Sequence, residues 1–582
     1  MIRRWLPWFA VALILAVTLG LMCRPMRRDT ATVDETAFLG AGYSYWHGHR
    51  YYLNVEHPPL MQLWSALPLF FLDVKMPTDS EEFFSDTNRT VSSVMTERWD
   101  FRMGLIQEPL PVGEHFYHYT AFEEGIFGRV LVYGGVNDAD KLLFWGRFMQ
   151  ALVMLATGAL VFAWARSLSN LTGGLLALVA WSFNPIALAY GHLIITDPGI
   201  ALMLPLTVWM FSRFLDSPRP RTALLAGLAF GGALVTKYTA IILVPIFGLL
   251  LVLAWWKQRR LVRAQSLRSL FANLCLLVVV TWGTVVLFYI PHWLPPPPIT
   301  PQDAEFMQVP AWFIHLRWLL IPRDFFKGFT IMLLHVVNGH QAYLFSEWSG
   351  KGWWYYYPVA ILVKTPAALL LLLVSAIAMA LRRIRHSSFA EAAPLIAAAA
   401  YLVCAITRKA DIGIRHVLPL YPLLAVVAGI EFARARRREQ LIAWLLVAWL
   451  AETAFLARAD YIAYFNEFVG GPAHGQDYLL DSNFDWGQNG KPLKEWVEEN
   501  HLAHIYLDYF GTVTVIGYLH IPAQLVAPSE VPKLRDGYLV ISATHLMSPD
   551  YDWLRSHHMP VARIGNTLFV YALPPSHPTS PK

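Results

Sequence analysis

Long apolar runs alternate with short basic segments along most of this chain. A spanning helix needs about 20 predominantly apolar residues. Runs of that kind lie near 5–23, 142–165, 171–190, 197–215, 222–237, 239–256, 271–290, 356–380, 390–406, 414–432 and 440–457. They predict about eleven transmembrane helices, several interrupted by the Gly and Pro that bilayer helices tolerate. The first run follows Arg3 and Arg4 and ends in Cys23-Arg24-Pro25. No small-x-small cleavage site follows it, so it reads as a retained anchor.

The basic residues orient these spans. With the N-terminus cytoplasmic, the cytoplasmic connections hold Arg166, Arg213/Arg219/Arg221, the Lys257–Arg268 cluster, Arg382/Arg383/Arg385 and Arg434–Arg438. The short opposite loops hold only Lys237, Arg408, Lys409 and Arg415, an asymmetry that fits the positive-inside rule. Three long segments then face the extracytoplasmic side: 24–141, 291–355 and the tail from 459. The first contains helix-like aromatic stretches at 34–47 and 59–72; the second of these is too short to span easily and is assigned to the interface. The loop 291–355 opens with Pro295 to Pro298, a stiff extended spacer. In the tail, the apolar strands Ile505–Phe510, Tyr538–Ile541 and Leu568–Tyr571 alternate with the helical stretch Pro492–Asn500. The expected organisation is a transmembrane catalytic domain over 1–458 and a small extracytoplasmic α/β domain over 459–582, roughly 120 residues and an acceptable domain size.

Composition narrows the classes further. Of the 582 residues, 56% are hydrophobic and 15% charged, against roughly 25% charged in soluble domains. Mean hydropathy is +0.40. A disordered chain and an array of water-soluble domains are both excluded, which leaves a polytopic membrane protein; the plasma (inner) membrane is its expected location. Cys23, Cys275 and Cys404 lie in or beside apolar runs and support neither a disulfide framework nor a Cys-ligated metal. The basic loops are topology signals, so no nucleic-acid partner is expected.

The chemistry-bearing residues gather at the outer helix ends. Asp34-Glu35 follows the first span, where a carboxylate can take a proton from an acceptor hydroxyl. The same residues also form Thr32-x-x-Glu35, a capping box with acids in a first helical turn. Glu56-His57-Pro58-Pro59 precedes a Pro-initiated helix, where a phosphate can meet an imidazole and free N–H groups, or where a cap and an interfacial His stand. Asp197 in Thr196-Asp197-Pro198 is an ionisable residue at a membrane helix end, and equally an N-cap with Pro at N1. Arg147, Lys237 and Arg415 are cations on the positive-poor face; Arg suits phosphate through its paired donors, and snorkelling is the alternative. Lys364 lies inside an apolar run, where a partner is expected. Asp138-x-Asp140, Asp550-x-Asp552 and His47-x-His49 are too sparse to specify a metal site, and no P-loop, GxGxxG, HExxH or GxSxG context is present. Asp481 to Gln488 is dense in polar groups, either facing a site or initiating a helix.

The order of these pieces resembles the membrane-embedded glycosyltransferases of the GT-C class, and most closely the bacterial branch of the protein O-mannosyltransferase and lipid A aminoarabinose transferase superfamily. Asp34-Glu35 matches the acidic motif of their first outer loop. Glu56-His57-Pro58-Pro59-Leu60 looks like their Glu-Lys-Pro-Pro-Leu run, with His57 in place of lysine. Gly191-His192-Leu193-Ile194-Ile195-Thr196-Asp197 resembles the run ending in the second outer-face aspartate, and Arg147 fits the same pattern. Asn338-Gly339-His340, Gly352-Trp353-Trp354-Tyr355-Tyr356-Tyr357-Pro358, Ile412-Gly413-Ile414-Arg415 and Asp481-Ser482-Asn483-Phe484-Asp485-Trp486-Gly487-Gln488 look like a subgroup described as phospholipid-carrier-dependent glycosyltransferases.

The resemblance implies a GT-C fold, a polyprenyl-phosphate sugar donor, and an inverting single displacement onto a hydroxyl-bearing acceptor (protein, lipid or envelope glycan). It implies Asp34, Glu35 and Asp197 as catalytic residues, with Asp34 the base. His57, Arg147, Arg415, Lys237 and Lys364 would hold the donor phosphate, and Glu56, His340, Trp353 and Tyr356 the substrates. No cofactor is required; a divalent cation is compatible with the site, but the positive side chains can serve in its place. Two other classes compete: a transporter or flippase of a lipid-linked sugar, which calls for discontinuous helices and ionisable residues near the midplane, and a non-catalytic glycan-binding relative.

Overall fold

The computed structural model describes residues 2–48, 51, 53–75, 127–257, 267–290, 322–512 and 514–576. The Pro295–Pro298 spacer and His49 lie outside them. All eleven apolar runs fall on helices, yet among the described residues seven helices are continuous, long and apolar enough to cross a membrane: Trp5–Arg28, Ala139–Leu168, Asp197–Asp216, Tyr238–Trp256, Arg268–Tyr289, Phe389–Ile406 and Arg437–Ala459. Leu171–Ser182 and Pro220–Thr236 are shorter apolar helices.

Local chemistry explains why three expected spans break. The run 171–190 is interrupted at Asn184, whose side chain accepts from the Ile186 N–H at 3.1 Å and caps a new helix, Pro185–Tyr190, with Pro at its first position. The run 356–380 breaks at Thr365, held extended before Pro366, because a residue preceding proline avoids the helical region. The run 414–432 opens as a 3₁₀ turn, Ile414–Val417, before the helix Leu420–Arg434. Lys237 separates 222–256 into two helices, its backbone extended between Thr236 and Tyr238.

Where helices meet, small residues let the backbones close up. A Cβ on Gly173 would stand 2.5 Å from the Gly429 carbonyl oxygen, so Leu171–Ser182 and Leu420–Arg434 touch main chain to main chain. The expected stretches at 34–47 and 59–72 are the helix Glu35–Gly48, and Leu60–Ala66 continued by the 3₁₀ turn Leu67–Phe71.

A hairpin of β1 (Ala342–Leu344) and β2 (Glu347–Ser349) lies before the Gly352–Pro358 motif. The tail holds β3 (Ile505–Asp508), β4 (Ala523–Leu525), β5 (Tyr538–Ser542), β6 (Ala562–Ile564) and β7 (Leu568–Ala572), in the order β4-β3-β5-β7-β6. β3 is parallel to β4 and β5, and β7 is antiparallel to β5 and β6. β3, β5 and β7 are the strands expected from the apolar pattern; β4 and β6, three residues each, are too short to show a period.

Residues 460–489 are wired into the helix ends. Lys364 Nζ donates to the carbonyls of Ile462 (2.8 Å) and Asn483 (2.5 Å), and stands 4.4 Å from the Phe465 ring centre. Asn483 Oδ1 accepts from the Ile414 N–H at 2.8 Å, and its amide donates to the Tyr356 hydroxyl at 3.0 Å. The Thr30 N–H donates to the Gln488 carbonyl at 3.1 Å. Each removes a polar group that would otherwise be buried unpaired. Asn483→Ala would leave the Ile414 N–H and the Tyr356 hydroxyl without those bonds, so a loss of about 2 kcal/mol or more is expected. Thermal unfolding in detergent would register it as a lower midpoint.

Candidate active site

Two charged clusters form around the acidic loop, and they differ in how completely their donors are used. The first is Glu35 with Arg147, 112 positions apart in the chain. Arg147 Nε donates to Glu35 Oε1 at 2.8 Å and an Nη to Oε2 at 2.6 Å. The remaining Nη donors reach the carbonyls of Met26 (3.1 Å), Asp29 (2.7 Å) and Thr30 (2.9 Å). A guanidinium has five N–H donors, so all of Arg147 is engaged. Both side chains are 0% exposed. Glu35 also accepts from the N–H groups of Thr32 (2.9 Å) and Ile194 (3.2 Å). Burial alone would raise the Glu35 carboxyl, but Arg147 and these hydrogen bonds outweigh it and hold it below the usual range. Of the capping box expected at Thr32-x-x-Glu35 only the return bond from the Thr32 N–H forms; the helix begins at Glu35 itself, and the Thr32 hydroxyl donates to the same carboxylate at 3.2 Å. In this structure every donor of Arg147 and both carboxylate oxygens of Glu35 are engaged in these bonds.

The second cluster is open. Arg415 stands in the turn Ile414–Val417, with one Nη 3.3 Å from Asp34 Oδ2 and 3.5 Å from Asp197 Oδ2. Lys237 Nζ donates to Asp197 Oδ1 at 2.8 Å. Arg415 thus bridges two aspartates brought from loops more than 160 residues apart. Its Nε is buried without a hydrogen-bond partner, as is His416 Nε2. The guanidinium lies 4.4 Å from the Trp486 ring centre, a cation–π contact that fixes its plane. Asp197 does not cap its helix: Thr196 is the N-cap, and the carboxylate turns to Lys237. Asp34 is the reachable acid, 32% exposed against 1% for Asp197. Burial pushes the Asp34 carboxyl above its usual range, with Arg415 opposing.

The other expected residues divide between this cluster and its supports. His57 is near enough to feel Lys237, Asp197 and Arg415, but burial pulls its imidazole down to about 3. Its Nδ1 is 3.0 Å from Asn54 Oδ1. A neutral imidazole offers a phosphate one N–H donor where the lysine it replaces offers a charge. Burial, helped by Asp34, pushes the Glu56 carboxyl up to about 7, and its Oε1 is buried without a partner. Lys364, expected to hold the donor phosphate, and Tyr356, expected to contact substrate, both bond to residues 460–483 in this structure. The Trp353 N–H donates to Asp411 Oδ2 at 2.6 Å, beside Gly352, whose left-handed φ of +64° and 2.3 Å clearance from that oxygen admit no side chain. His340 stacks on His335, 5.5 Å between ring centres.

Sequence reading missed how the tail enters the site. Trp486 lies beside Arg415, and the Tyr190 hydroxyl donates to the Ser482 carbonyl at 2.7 Å. Asp481, in left-handed backbone at φ +54°, is pushed up to about 6 by burial and drawn back by Arg415 and His340. The polar density of Asp481–Gln488 was the available signal; its partners were not. Among the described residues, no group of three His, Cys, Asp or Glu side chains is arranged to hold a metal ion.

Two outcomes follow. Arg147→Met would strand a buried carboxylate and cost about 3–5 kcal/mol; thermal melting should fall sharply in the absence of any donor lipid. Glu56 is protonated in the fold at low pH and carries a raised pKa, from 4.5 to about 7. Its contribution is fully present below pH 4.5 and is lost as pH rises through about 7. Glu56→Gln should therefore flatten the decline in melting temperature between pH 5 and 8; an unchanged slope would assign that decline to other groups.

Residues 139–284 match the model of a family described as dolichyl-phosphate-mannose-protein mannosyltransferase. No curated protein matches the chain. Among solved structures, the chain is similar to ArnT from Cupriavidus metallidurans bound to undecaprenyl phosphate, at 14% identity and a TM-score of 0.47, covering 97% of each chain. It is also similar to the oligosaccharyltransferase of Archaeoglobus fulgidus in the apo form, at 13% identity and a TM-score of 0.48, covering 96% of this chain and 73% of that one. The matched segment carries Arg147, Asp197 and Lys237, and over it the chain is similar to the mannosyltransferase branch of the GT-C glycosyltransferases that its ordered motifs resemble.

Proposed function

We propose that this protein is an integral-membrane glycosyltransferase that moves a sugar from a polyprenyl-phosphate carrier to a hydroxyl-bearing acceptor on the extracytoplasmic face, with inversion. The observation that carries the reading is the Asp34–Arg415–Asp197–Lys237 cluster, in which a reachable carboxylate adjoins cations with donors to spare. The family match over 139–284 supports it.

The chemistry follows from those groups. Asp34 accepts the acceptor's hydroxyl proton as that oxygen bonds to the anomeric carbon. The bond between that carbon and the phosphate oxygen breaks on the opposite side, and its electron pair leaves with the lipid phosphate. The raised Asp34 carboxyl brings this base nearer to neutral pH. The leaving phosphate gains negative charge, so Arg415 and Lys237 stabilise the transition state more than the ground state. Asp197 fixes Lys237 and, through Arg415, the direction of both cations. The sugar and the acceptor class are open to experiment.

The test uses purified protein in nanodiscs with a panel of polyprenyl-phosphate monosaccharides and membrane extract as the acceptor source, following release of free polyprenyl phosphate. Wild type should release it from one donor. Asp34→Asn and Arg415→Gln should each fall by about a hundredfold or more while remaining folded. Movement of the lipid-linked sugar across a sealed bilayer without release would overturn the reading in favour of a transporter.

A further inference from the structure

A second charged feature lies at the end of the first helix. A cleft of about 560 Å³ is lined by Gly20, Cys23, Arg24, Arg27, Arg28, Lys491 and Glu495. Four cations thus face one carboxylate. Lys491 is partly neutralised, its Nζ 2.8 Å from Asp140 and 2.6 Å from the Arg27 carbonyl, and Arg28 stands 3.6 Å from Asp29 while donating to the Ala459 carbonyl. Arg24 and Arg27 are exposed and have no ion-pair partner among the described residues; Arg27 lies 5.2 Å from the Phe144 ring centre. Cations at this end of a span work against the insertion bias that collects them on the cytoplasmic side. They therefore call for a compensating interaction.

The helix beneath the cleft supplies a second observation. Leu13, Val17, Gly20, Arg24 and Arg27 recur every three or four residues, which aligns them on one helix face. Leu13 and Val17 are exposed at 52% and 43%. A Cβ on Gly20 would meet nothing within 4 Å, so open space adjoins the helix just below the charges. One face thus runs from an apolar stripe, past a gap, to two guanidinium groups without an ion-pair partner among the described residues. That sequence of surfaces complements an acyl chain joined to an anionic headgroup, and a free ion would leave the apolar half unused.

We infer that this cleft binds the phosphate headgroup of an anionic phospholipid, with an acyl chain lying along Leu13, Val17 and Gly20. Arg24 and Arg27 take the phosphate oxygens, and Arg28 and Lys491 close the sides. The site is separate from the donor site around Arg415. It borders the segment Met26–Thr30, whose carbonyls Arg147 holds, so a bound headgroup would brace the loop leading to Asp34. The inference rests on the transferase reading only in assigning this end of the helix to the outer leaflet.

Binding is measurable without turnover, so failure of sugar transfer and failure of this site are distinguishable. Native mass spectrometry of the full chain in neutral detergent would compare phosphatidylglycerol with phosphatidylcholine. Wild type should hold phosphatidylglycerol preferentially, and Arg24→Gln with Arg27→Gln should weaken it about tenfold or more. Glu495→Gln should strengthen it. Gly20→Trp, which fills the gap and keeps every charge, should also weaken it; melting temperature in lipid-free detergent should match wild type for all variants. Inorganic phosphate at millimolar concentration should not displace the lipid. Equal phosphatidylglycerol binding by the double variant, no preference over phosphatidylcholine, or displacement by inorganic phosphate would overturn the inference.

Discussion

The Glu35–Arg147 pair is the constraint on which the rest depends. Burying two charges costs several kcal/mol per ion unless geometry and further hydrogen bonds repay it. Here the repayment is complete on the Arg147 side, with five donors on five acceptors, and it binds three main-chain carbonyls as well as a carboxylate. The pair thereby pins the end of the first helix, the loop 29–35 and the start of the helix Glu35–Gly48 to the span Ala139–Leu168. Ile194, just ahead of Asp197, is fastened to the same carboxylate. Asp34, one residue away and on no such leash itself, inherits its position from this clamp.

Arg147 and Arg415 show how one residue type serves opposite ends. Arg147 lies in the third turn of its span and Arg415 in a 3₁₀ turn, each facing a carboxylate, and both look like phosphate ligands in a sequence. The difference lies in spare capacity. Arg147 is saturated, whereas Arg415 has a long 3.3 Å contact to Asp34, a 3.5 Å approach to Asp197 and a buried Nε without a partner. Spare donors in a water-poor site are what a developing anion can use. Lys364 repeats the first case, its ammonium spent on two carbonyls and a ring.

The tail is part of this machinery rather than an appendage. Asp481–Gln488 threads between helix ends, meeting Ile414 and Lys364 through Asn483, Arg415 through Trp486 and Thr30 through Gln488. The two arms of the charged cluster, Asp34 and Arg415, are thus each fastened to one continuous stretch of chain. That stretch therefore ties the positions of Asp34 and Arg415 to each other.

Much of this was legible before any coordinates. Apolar runs with basic flanks located the helices, because a bilayer imposes length and sidedness locally. The breaks at Asn184-Pro185 and Thr365-Pro366 are written in local chemistry too, although a count of apolar residues passes over them. Asp34, Asp197, Lys237 and Arg415 stood out as charges at helix ends, and the alternation of β3, β5 and β7 marked the sheet. What the sequence could not assign was partnership. Glu35 and Asp34 are adjacent carboxylates that residue type and spacing alone do not separate, and a guanidinium arriving from 112 residues away makes Glu35 a buried clamp and leaves Asp34 reachable. Identity and spacing determine which groups are charged and near which helix end; whether a charge is satisfied depends on donors and acceptors that only the tertiary structure brings within 3 Å.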